Sequence, residues 1–92
     1  MSTYNYSPFV VTTAQTISGR YSVKYLEWHP HDADDDLLVK DGLDNILWQI
    51  RAPIGAPNSE AYGILTKELN TEKLKDIVIE TIDGGTLYIY LK

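Results

Sequence analysis

The final stretch of the chain, KDIVIETIDGGTLYIYLK, alternates at period two on both sides of Asp83-Gly84-Gly85. Ile77 and Ile79 fall on one side, as do Leu87, Ile89 and Leu91, while Tyr88 and Tyr90 fall on the other. Side chains that alternate in this way belong to a strand, because successive Cβ atoms of extended backbone point to opposite faces. Asp-Gly and Gly-Gly supply the positive φ that a tight reversal needs, so the segment predicts two strands joined as a β-hairpin. That places the chain in the all-β class.

The rest of the sequence follows the same grammar. LLVKDGLDNILWQI holds two apolar runs around DGLDN and predicts a second hairpin, with a loop of about 3 to 5 residues. Phe9 to Ile17 is rich in β-branched residues and predicts one strand ended by Ser18-Gly19. RYSVKYLEW predicts another, with Tyr21, Val23 and Tyr25 on one side and Ser22, Lys24, Leu26 and Trp28 on the other. Two prolines and a glycine between Ala52 and Ala61 mark a long loop, YGILTKEL offers a further strand, and NTEKLKD has the composition of a single helical turn. The total is about seven short strands, the pattern of a small antiparallel β-sandwich or barrel. Residues 1–8, punctuated by Pro8, carry too little apolar content for a core element and read as an extended N-terminal arm; residues 9–92 form the body of a single β domain.

Composition narrows the function classes. Without cysteine there is no disulfide framework, zinc thiolate site or thiol nucleophile. A formal net charge of −5 without a basic cluster opposes a phosphate backbone, so nucleic acid is not an expected partner. No run reaches the roughly 18 apolar residues of a membrane span, and Met1 to Arg20 lacks the pattern of a secretory signal. The expectation is a soluble protein made in a cytoplasm. A small domain without staples often gains stability from other subunits.

The acidic stretch HPHDADDD, His29 to Asp36, is the place to look for a metal. An EF-hand loop beginning at Asp32 is satisfied at Asp34 and Asp36, but Leu37 stands where the turn glycine belongs and Leu43 where the bidentate glutamate belongs. His29 and His31, extended about Pro30, point the same way, and with Asp32 they are weak candidates for a transition-metal site. The plainer reading is a solvated loop whose aspartates cap turns and guard a sheet edge. No serine sits in a nucleophile elbow, and the carboxylates have little wall around them to form a substrate cleft. Neither catalytic activity nor a cofactor is expected.

Aromatic residues give the strongest binding signal. Trp48, in line with Ile46 and Ile50, is expected in the core, and Trp28 either there or at a contact surface. Tyr88 and Tyr90 either cover a second sheet or form a subunit interface or sugar-binding platform. Tyr4, Tyr6 and Phe9 on the arm are candidate anchors that order on a partner, though plain disorder explains them equally.

The run DDLLVKDGLDNILWQIRA, with its D-x-L-x-V-x-D-G-x-x-N-x-x-W pattern, and the closing GGTLYIY strand resemble small proteins encoded near the head genes of tailed bacteriophages. The likeness spans roughly Tyr21 to Lys92 and lies in structural segments. It implies a virion structural protein of β-sandwich type, a capsid cement or decoration protein that acts as a homotrimer on the major capsid protein at the particle surface. The expected contacts are Tyr4, Tyr6, Phe9, Trp28, Tyr88 and Tyr90. The rival expectation is a tail or fibre adhesion module that binds host glycans through Trp28 and loop residues. A cytoplasmic regulator of a host enzyme is a third.

Overall fold

The computed structural model describes residues 9–32, 34–52 and 64–92. Among the described residues eight strands run in chain order as β1 Phe9–Val11, β2 Gln15–Tyr21, β3 Val23–His29, β4 Asp36–Asp41, β5 Ile46–Arg51, β6 Leu65–Glu68, β7 Leu74–Ile82 and β8 Thr86–Leu91. They form two antiparallel sheets of four, ordered β1-β8-β3-β6 and β2-β7-β4-β5. The expected all-β class is therefore present, in two antiparallel sheets compatible with the sandwich of the sandwich-or-barrel expectation, with eight described strands where the sequence suggested about seven.

Among the described strands, β4 and β5 alone are consecutive neighbours in one sheet; every other connection passes from one sheet to the other. This strand order is that of an eight-stranded jelly roll. Its core lies between the sheets. Val11, Leu26, Trp28, Leu87 and Ile89 come from the first sheet, and Leu37, Val39, Trp48, Ile77 and Ile79 from the second. Each large apolar side chain buried there contributes roughly 1.5 to 3 kcal/mol.

The topology corrects the C-terminal hairpin. β7 pairs with β2 and β4, whereas β8 pairs with β1 and β3, so Asp83-Gly84-Gly85 is an arch between sheets. The local signals of an arch and a hairpin are the same: two alternating runs and a glycine turn. They differ in whether the apolar stripes lie side by side or face each other. Here Ile77 and Ile79 face Leu87 and Ile89 across the core.

Three smaller differences share a cause in irregular backbone. The single strand expected from Phe9 to Ile17 is split between sheets, as β1 and β2. Ser18-Gly19 does not end β2 but forms a bulge within it, where Gly19 takes φ 133° and its N–H donates to Asp76 Oδ1 at 2.9 Å. NTEKLKD forms no helical turn, because Asn70 and Lys73 adopt φ 51° and 52° before β7 begins at Leu74. The β4–β5 hairpin stands as read. Asp41 N–H donates to Asn45 O at 2.9 Å, Asp44 N–H to Asp41 O at 3.1 Å, and Asp44 takes φ 70°.

Candidate functional site

Bulges in β3 and β5 decide which side chains reach the surface. In β3, Val23 pairs with Leu91 and Tyr25 with Tyr90, leaving Lys24 as an extra residue. Val23, Leu26 and Trp28 are thereby all buried, and Tyr25, Glu27 and His29 turn to the outer face of the β1-β8-β3-β6 sheet. In β5 the extra residue is Leu47; it packs against the core, while Ile46, expected in line with Trp48, turns outward and is 57% exposed.

The outer face of the first sheet carries a cluster of aromatic side chains. Tyr88 lies between Val10 and Glu27 across the strands, and Tyr90 lies beside Tyr25, which neighbours Glu68. Tyr25 and Tyr90 meet edge to face, with ring centroids 4.5 Å apart. Tyr88 meets His29 in the same manner at 4.9 Å, and His29 Nε2 lies 2.7 Å from Glu27 Oε2. Aromatic pairs in this geometry are worth about 0.5 to 1.5 kcal/mol beyond the area they bury. The rings are half-buried against one another, and Val10 beside them is 59% exposed. Burial, reinforced by the charge of Glu27, holds the Tyr90 phenol above its ordinary value of 10.0.

Tyr88 and Tyr90 thus do not cover the second sheet, since Leu87 and Ile89 take that role. Trp28 is corrected as an interface residue. It is fully buried in the core with its indole N–H donated to Gly84 O at 3.0 Å, so it has no surface to offer a partner. Trp48 is in the core, as expected. Phe9 belongs to β1 and meets Tyr21 edge to face at 5.4 Å, which ties it to the body. Tyr4 and Tyr6 lie outside the described residues, as does the loop of residues 53–60. Sequence reasoning missed Tyr25, Glu27 and His29 as neighbours of the two tyrosines. The one available signal was the uneven spacing of Val23, Leu26 and Trp28, which a regular strand cannot place on a single face.

The acidic loop is built from turns. The Asp35 carboxylate accepts the N–H of Asp32 at 2.9 Å, and the Asp83 carboxylate accepts that of Asp36 at 2.9 Å. Arg51 grips the Asp36 carboxylate with two nitrogens, at 2.8 and 3.2 Å, and this hydrogen-bonded pairing holds Asp36 below the usual carboxylate value. His31 Nδ1 lies 3.0 Å from Asp32 Oδ2, while His29 engages Glu27 on the outer face. The two imidazoles therefore address different carboxylates. Among the described residues, no group of three or more potential ligands is gathered for a metal ion. An open depression of about 350 Å³ beside β4 and β5, lined by Leu37, Leu38, Gln49, Ile50 and Thr81, ends at the Asp36–Arg51 pair.

No protein-family model matches the chain, and neither a curated protein nor a solved structure is significantly similar to it.

Proposed function

We propose that this chain is a virion structural protein of the capsid cement or decoration type, which associates with copies of itself and holds the particle surface through its outer tyrosine face. The observation that carries the reading is the layer of Tyr25, Tyr88 and Tyr90 on the solvent side of a wall whose inner side already fills the core. Tyrosine suits such a contact because its ring buries apolar area while its hydroxyl stays satisfied in a wet rim. Jelly rolls recur among viral capsid proteins, although they also recur among lectins, so the fold supports the reading without deciding it. A cysteine-free domain of 92 residues gains from sharing surface with a shell. Major capsid protein is the proposed partner, and a homotrimer the proposed arrangement.

The adhesion reading has lost Trp28 to the core. Its remaining rings meet at 78° and 64°, so they form no coplanar platform for a pyranose to stack on. The test is sedimentation of the protein with heads of the parent phage prepared without it. Wild type should co-sediment, and Tyr88→Ala combined with Tyr90→Ala should weaken binding at least tenfold while far-ultraviolet circular dichroism is unchanged. Equal binding by the variant, or none by wild type, would remove the proposal.

A further inference from the structure

A jelly roll has four sheet edges, and a protein that stays apart from its copies must blunt each one. Three are blunted here. β1 has 3 residues and β6 has 4, the latter carrying Lys67 and Glu68. β2 is interrupted by its Ser18-Gly19 bulge and carries Arg20. β5 is different. Its sequence ILWQIR holds no proline, glycine or acid, its bulge at Leu47 lies at the hairpin end and leaves Trp48 to Arg51 in regular register, its one charge is at its end, and no described strand pairs with its outer side.

The backbone on that side is arranged for a partner. Ala52 turns its N–H and C=O toward the strand β4 side, donating to Asp35 O at 2.8 Å and accepting from Asp34 N–H at 3.0 Å. Hydrogen-bonding direction alternates along a strand, so Arg51 and Gln49 present their N–H and C=O to the open edge. Gln49 is exposed and its side chain lies on the outer face, between the inward-facing Trp48 and Ile50.

We infer that β5 is a self-association edge, which pairs antiparallel with β5 of a second copy about a two-fold axis at Gln49. With a second copy as the occupant, two-fold symmetry restricts the register. Residues directly opposite in an antiparallel pair share a face, and a two-fold normal to the sheet keeps core side with core side. A register satisfying both must place a residue opposite itself or its partners at even spacing. Gln49 opposite Gln49 of the second copy does so and exchanges two backbone hydrogen bonds. Trp48 then stands opposite Ile50 of the second copy, both facing their cores. Arg51 is already neutralised by Asp36 within its own chain, so no unpaired charge is brought to the seam. The two four-stranded sheets become one sheet of eight.

This contact is independent of the tyrosine face and of the capsid reading. If the three-fold arrangement also operates, the two together close a hexamer where their axes cross at right angles.

The experiment is the solution mass of the full chain by sedimentation equilibrium, with Gln49→Lys and Gln49→Cys as probes. Gln49→Lys sets two ammonium groups against each other at the axis and leaves every bond to β4 in place. Wild type should have an even number of chains, and Gln49→Lys should have half that mass with an unchanged circular dichroism spectrum. In a chain without cysteine, Gln49→Cys should oxidise to a disulfide dimer at least tenfold faster than Thr16→Cys on the opposite edge. An odd-numbered wild type, a Gln49→Lys variant of undiminished mass, or equal oxidation of the two cysteine variants would overturn the inference.

Discussion

Trp28 on β3 and Gly84 in the arch between β7 and β8 are joined by a hydrogen bond of 3.0 Å, from the indole N–H to the main-chain oxygen, across 56 residues of sequence. The largest fully buried side chain is thus also the clamp on the connection that closes the sandwich.

That dual role separates two substitutions. Trp28→Phe keeps most of the ring volume but leaves the Gly84 oxygen without its donor, which should cost about 1 to 3 kcal/mol. Trp28→Ala adds a cavity and should cost about 3 to 5 kcal/mol. Urea denaturation followed by circular dichroism should order the two in this way. A Trp28→Phe variant as stable as wild type would show that the clamp contributes nothing.

The two arch glycines should respond unequally. Gly85 takes φ 80°, and a Cβ there would fall onto the His29 carbonyl oxygen, which is backbone and cannot yield. Gly85→Ala should therefore cost about 3 kcal/mol or more. At Gly84 the nearest atom to an added Cβ is Asp35 Oδ2, at 2.6 Å, the mobile end of a side chain. Gly84→Ala should cost about 1 kcal/mol, through the weakened Asp35 bond to Asp32. Thermal melts of the two variants would check the order.

Asp41 makes a pH prediction. It is a buried acid in the described structure, and its carboxylate accepts from Leu43 N–H and Asn45 N–H at 2.9 Å each and from Asn45 Nδ2 at 3.0 Å. Burial pushes its pKa up, but the combined pull of the Asn45 side-chain amide and the two backbone N–H groups leaves it below 3.8. A depressed native pKa means that the stabilisation is full above the unfolded value and is lost as pH falls through the native one. Stability should hold at neutral pH and decline below about pH 4. Asp41→Ala should lose about 2 kcal/mol at pH 7 and show a shallower acid transition in denaturant titrations.

The sequence made some of this legible and concealed the rest for identifiable reasons. The two apolar runs around DGLDN located a true hairpin, because its two strands and the four residues between them are local. The arch at Gly84-Gly85 carries the same local signals, and the distinction rests on non-local pairing of β7 with β4 and of β8 with β3. Tyr88 and Tyr90 were visible as a pair on one face, but their neighbours Tyr25, Glu27 and His29 arrived there through a one-residue bulge at Lys24. A bulge reverses every side chain beyond it, and at Lys24 no glycine announces it.

The outer face can be read through its own chromophore. Of the seven tyrosines, Tyr90 is held above 10.0 first by burial, then by the negative charge of Glu27, with Tyr25 and Tyr88 adding to it. In an alkaline titration followed by phenolate absorbance, Tyr90 should therefore ionise late, and Tyr90→Phe should remove its phase. Glu27→Gln should bring the phase back toward 10.0, because it deletes the charge while preserving the side chain's shape. Since the native value is raised, the stability that Tyr90 contributes is complete below pH 10.0 and is lost as pH climbs through the native value. The same signal reports on function: a partner seated over Tyr25, Tyr88 and Tyr90 deepens their burial and must drive the late phase later still. A titration of the particle-bound protein that left it unmoved would place the contact elsewhere on the molecule.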